Sequence, residues 1–154
     1  MRTRTILASL VAFFAGLTLC LAADVNMGTW KLNEGKSKFS PSSTKNHMVV
    51  YEAAGENVKV TVEGKDKDGK AVHNVWVGKF DGKDYPVTGD ATYDSRSYTK
   101  VDDHTLDMTI KKGGKVVGTG KIAVSADGKS RTVTTKSADP KDTALNATAV
   151  YDKQ

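Results

Sequence analysis

The chain has 154 residues, 27% of them charged, a formal charge of +5 and a single cysteine, Cys20. The lysines are scattered among acids and gather in no basic block, which argues against a nucleic-acid surface. One cysteine excludes an internal disulfide framework and a cysteine-rich zinc site.

At the start of the chain, Arg2 and Arg4 precede an uncharged run from Ile6 to Leu21, and the small residues Ala22 and Ala23 lead into Asp24. This order predicts a cleavable signal peptide over 1–23, a signal helix that leaves one domain over 24–154 in the periplasm or secreted. The apolar run is shorter than the ~20 residues of a membrane span. An uncleaved anchor is one alternative; lipidation at Cys20 is another, disfavoured because Leu19 before it is not small.

Past Ala23 the apolar residues are mostly valine, with leucine only at 32, 106 and 145. β-Branched side chains suit a pleated sheet better than a helix. Val58, Val60 and Val62 alternate with polar residues, as do Leu106, Met108 and Ile110, each reading as a strand with one wet face. Strands are predicted over 28–33, 46–53, 57–64, 71–80, 83–87, 91–100, 104–111, 115–125, 130–137 and 144–151. Asp68-Gly69, Asp81-Gly82, Gly113-Gly114 and Asp127-Gly128 supply hairpin-type turns between them. Residues 34–45 read as an irregular flap with a helical turn over 33–38 and Phe39 as its anchor. Val116, Gly118, Gly120, Ile122 and Val124 are placed on one strand face. The expected fold is all-β: an antiparallel up-and-down meander of 8–10 strands, closed or nearly closed into a small barrel.

Gly28-Thr29-Trp30-Lys31-Leu32 opens the domain, and Val150-Tyr151-Asp152-Lys153 closes it. Gly-x-Trp at the head of a β-meander resembles the calycin group of lipocalins and fatty-acid-binding proteins. The resemblance implies that Gly28 and Trp30 form a structural plug at one barrel end. The chain is also similar to small exported bacterial proteins that share the Gly-Thr-Trp-Lys-Leu-Asn start and the segment Phe80 to Pro86, a likeness that brings no activity with it. Two features depart from fatty-acid-binding proteins. Only about a dozen residues are available where those proteins carry a helical pair, and Ala149 stands where their carboxylate-binding arginine would precede Tyr151. The fatty-acid function therefore does not transfer.

Arg96 and Tyr98, two apart on a predicted strand, share a face. If that face is internal, a guanidinium fork and a phenol can hold a carboxylate or phosphate; if external, Arg96 pairs with Asp94 on the surface. Tyr93 falls on the opposite face of a regular strand, which leaves the choice open. Arg131 is a weaker candidate of the same kind. Trp76 and Tyr85, with Phe80 and Trp30, either line an apolar pocket or fill the core. Small residues such as Gly118, Gly120 and Ala149 leave room where nothing larger compensates.

No catalytic residue is assigned. His47, His73 and His104 have no ligand spacing, and Asp66-Lys67-Asp68-Gly69 lacks the later acids of a calcium loop. Asp90 and Asp94 are four apart without the marks of an acid/base pair. Asn146-Ala147-Thr148 fits a glycosylation acceptor but lies inside a predicted strand. The expectation is a non-enzymatic, lipocalin-like exported barrel for a small hydrophobic or amphipathic ligand, with no cofactor, metal or nucleic acid. The alternative is an envelope protein-interaction or inhibitor module with a solid barrel core.

Overall fold

The valine alternation becomes an antiparallel sheet in a computed structural model that describes residues 24–154; the signal peptide expected over 1–23 lies outside the described residues. Its strands are β1 (Gly28–Leu32), β2 (Lys38–Phe39), β3 (Lys45–Ala54), β4 (Asn57–Lys65), β5 (Ala71–Gly78), β6 (Tyr85–Thr88), β7 (Ser95–Asp102), β8 (Thr105–Lys112), β9 (Lys115–Val124), β10 (Ser130–Ser137) and β11 (Ala147–Lys153). From β3 to β11 each strand pairs antiparallel with the next in sequence. β1 pairs with β3 on one side and β11 on the other, which closes the ring at Trp30↔Lys153 and Leu32↔Tyr151. The result is a ten-strand up-and-down barrel.

β2 is the second half of an interrupted first strand. A 3₁₀ turn, Glu34–Lys36, breaks the chain after β1, capped by the Asn33 side chain, which accepts from the Lys36 amide. The chain then rejoins β11 at Phe39↔Ala147. The predicted flap thus carries its helical turn, and Phe39 is tied to the sheet. Ser40, Ser42 and Ser43 fasten the following loop to the Thr143–Asn146 segment by hydroxyl and carbonyl hydrogen bonds.

Most predicted strand limits fall within two residues of the observed ones, and the misses share a cause. The stretch 89–94 is irregular: Gly89 has φ +89°, and Asp90 bends the chain by accepting from the amide and hydroxyl of Thr92. β7 therefore begins at Ser95, not at 91. Likewise Asp139 and Asp142 cap turns that delay β11 to Ala147. The five-residue face from Val116 to Val124 is corrected as well. A bulge opposite Lys111 skips Val117, so Val116 turns outward and is 38% exposed while Gly118, Ile122 and Val124 face inward or toward the core.

The core is the barrel interior, built from Trp30, Tyr51, Val60, Trp76, Tyr98, Leu106, Ile122 and their buried neighbours. Hairpin turns at 55–56, 103–104 and 125–129 mark one end of the barrel. Loops 40–44, 66–70, 89–94, 113–114 and 138–146 mark the other. The first end is filled. Trp30 is fully buried there and donates Nε1–H to the Asn26 carbonyl at 2.8 Å.

Candidate functional site

Inward-facing residues of β3, β4 and β7 to β11 surround an interior cavity of about 360 Å³. That volume lies at the small end of the range for small-molecule sites. Val49, Val62, Ile110, Ile122 and Val133 give it apolar walls; Asn46, His73, Asp90 and Thr92 stand among the residues toward the loop end. Of the small residues on β9 and β11, Ala147 and Ala149 line the cavity, whereas Gly118 and Gly120 do not. Leu145 fills the missing side chain of Gly118 and the Met108 methyl that of Gly120, while Ala147 and Ala149 stay small.

Arg96 and Tyr98 both line this cavity. Arg96 is 4% exposed; its Nη1 donates to the Tyr98 hydroxyl at 3.0 Å, and its Nη2 donates to the Tyr93 hydroxyl at 2.8 Å and to Asn74 Oδ1 at 3.3 Å. Asn74 Nδ2 in turn reaches Asp90 at 3.3 Å. The face ambiguity raised by Tyr93 disappears, since Tyr93 precedes the regular strand and the alternation rule does not apply to it. The external pairing of Arg96 with Asp94 is not formed; Asp94 accepts instead from the Gly113 amide.

Trp76 and Tyr85 are placed elsewhere. Neither lines the cavity. Trp76 packs edge-on against Tyr98 and Tyr85, with centroids 4.8 and 5.7 Å apart, and stacks on Phe80 at 6.2 Å. Such pairs add about 0.5–1.5 kcal/mol each beyond burial, and the cluster packs the barrel beneath the cavity. Tyr85 also covers Gly78 and donates its hydroxyl to Asp81 at 2.8 Å.

Arg131 is the most unusual group in the interior. It is 2% exposed and lies against the rings of Trp30, Tyr51 and Tyr151, at 4.6, 4.8 and 5.1 Å from their centroids. Its Nε and Nη1 have no hydrogen-bond partner. Aromatic faces attract the cation by up to ~2 kcal/mol, but they leave its N–H groups unmatched, at a cost on the order of 1–3 kcal/mol. Among the described residues neither Arg96 nor Arg131 forms an ion pair; the ion pairs present join lysines and histidines to acids.

The phenols cannot supply the missing negative charge at neutral pH. Burial pushes Tyr51 and Tyr93 upward, and pushes Tyr151 up to about 12; Arg131 pulls the other way on Tyr51 and Tyr151, and Arg96 does so on Tyr93. All three remain neutral phenols. The Tyr151 hydroxyl donates to the Asn46 carbonyl at 3.0 Å.

Tyr51, Tyr93, Asn74 and Tyr151 were not among the sequence candidates. Tyr51 was within reach: the turn at Gly55 sets it opposite Val60, whose inward face was already clear. Tyr151 faces Arg131 in register only because of the long 138–146 turn, whose length gives no register in advance.

Other motifs have local roles. Asp66 accepts from the amides of Asp68 and Lys70 and caps its own hairpin. Asn146 accepts from the Ser137 amide. His47 lies beside Glu34 and His73 beside Glu63, on separate strands.

The closed up-and-down barrel fits the calycin-like resemblance. No protein-family model matches the chain, and no curated protein does. Among solved structures, the chain is similar to a redesigned beta barrel, mFAP1, bound to DFHBI, at 15% identity and a TM-score of 0.46, covering 86% of this chain and 98% of that one. At that distance the likeness says nothing about what this chain binds.

Proposed function

We propose that the chain is a non-enzymatic binding barrel that holds a small amphipathic molecule in its interior, and that it works outside the cytoplasm after loss of residues 1–23. The observation that supports this most is the cavity of about 360 Å³, bounded by valine and isoleucine on one part of its wall and by Arg96, Tyr98 and Tyr93 on another. Apolar walls reward burial of a hydrocarbon or ring body at about 25 cal/mol per Å². A few convergent polar groups then fix its orientation. The described residues include no helix long and apolar enough to cross a membrane.

A small-molecule screen by thermal shift and native mass spectrometry tests the reading. Saturable one-to-one binding of an amphipathic compound, with a raised Tm, is expected. Failure of every hydrophobic acid, alcohol and amine to bind would leave the interaction-module alternative, in which the hairpin tips or the 34–45 flap make the contacts. That alternative was framed around a solid core, and the interior cavity counts against it.

A further inference from the structure

We propose that Arg131 is the deep anchor for a carboxylate, so that the ligand is a small organic acid taken up head-first. This rests on the binding reading above and names the chemical class of its ligand. Strand direction sets the depth. β10 enters from the 125–129 turn, so Arg131 lies near the filled end, whereas Arg96 follows the 89–94 loop and lies nearer the other.

The two guanidiniums differ in what they lack. Arg96 already holds Tyr98, Tyr93 and Asn74 through Nη1 and Nη2, and only its Nε is without a partner. Arg131 has aromatic faces around it and N–H groups with nothing to accept them, yet it lines the same cavity. A buried cation without a counter-charge or acceptor is expensive, and an entering anion relieves both deficits at once. A guanidinium fork matches the two oxygens of a carboxylate. A phosphate carries further charged oxygens that need donors of their own, and Val133 and Ile122, next along the wall from Arg131, supply none. The acids near the cavity do not compete for Arg131: Asp66 caps a hairpin and Asp90 is held by Asn74 and Thr92.

Isothermal titration with four chain-matched probes tests this: decanoate, decan-1-ol, decylammonium and decyl phosphate. Decanoate is expected to bind roughly tenfold to a hundredfold tighter than each of the other three, the range of one charge-assisted contact. Arg131→Met should remove that preference, and Arg131→Lys should restore part of it. Arg96→Met should cost less.

Equal affinity for acid and alcohol would overturn the assignment while the binding barrel stands, and so would tighter binding of decyl phosphate. Unaltered decanoate affinity in a folded Arg131→Met protein would also overturn it. If none of the four binds, both readings fall. The comparison of probes on the unsubstituted protein decides the matter even if Arg131→Met does not fold.

Discussion

Arg96 and Arg131 are buried in the same barrel and meet that condition differently. Arg96 spends Nη1 and Nη2 on two phenols and an amide and leaves only Nε unmatched; Arg131 relies on three aromatic faces and keeps both Nε and Nη1 unmatched. Around them Tyr51, Tyr93 and Tyr151 stay neutral because burial opposes the tyrosinate. This gives a pH dependence with a definite sign. A phenol whose folded pKa is raised stabilises the fold fully below its unfolded value of 10, and the contribution is lost as pH rises through the folded value, about 12 for Tyr151. Tyrosinate absorbance and circular dichroism, followed together, should show the buried tyrosines ionising above pH 10 only as the β signal disappears. Titration of Tyr51, Tyr93 and Tyr151 near pH 10 in an intact fold would contradict this. The inward face of Arg96 was one of two readings open in the sequence, because the two-residue spacing to Tyr98 says that they share a face but not which one. The orphaned state of Arg131 was not legible, since it depends on what β1, β3 and β11 bring against it from a distance in sequence.

At the scale of elements, close approaches decide the packing. A Cβ on Gly78 would lie 2.4 Å from the Tyr85 ring and 2.7 Å from Trp76, inside the aromatic cluster that packs beneath the cavity. Gly78→Val should therefore destabilise by about 1–3 kcal/mol through overpacking, read as a lower urea midpoint with an unchanged slope. An unaltered midpoint would mean that the ring of Tyr85 is free to move aside. The strands themselves were legible because alternation and Asp-Gly turns are local signals, and they gave β4, β8 and β10 to within a residue or two. Segment 89–94 and the turn before β11 were not, because Asp side chains capping backbone amides compete with the strand pattern there. The bulge at Lys111 is of the same sort: one skipped residue moves Val116 to the outside without a mark in the sequence.

For the whole molecule, closure of β11 on β1 explains how a chain without disulfides among its described residues can enclose space. Ring closure leaves no long open edge, Trp30 is buried near one end, and Ala147 and Ala149 on β11 line a void further along. The hairpins in the sequence left a closed or a nearly closed barrel open, and the pairing of β11 with β1 decides for closure; the presence of a void was not legible, because it turns on how far Leu145 and Met108 reach over Gly118 and Gly120. The most direct measurement is an NMR titration with decanoate, following the arginine Nε–H and interior methyl resonances of the labelled protein. Saturable shifts at Arg131, Arg96, Val49, Ile122 and Val133, with the hairpin tips Asp68-Gly69 and Gly113-Gly114 unmoved, are the expected result. Shifts confined to those tips, or none at saturating ligand, would contradict an interior site.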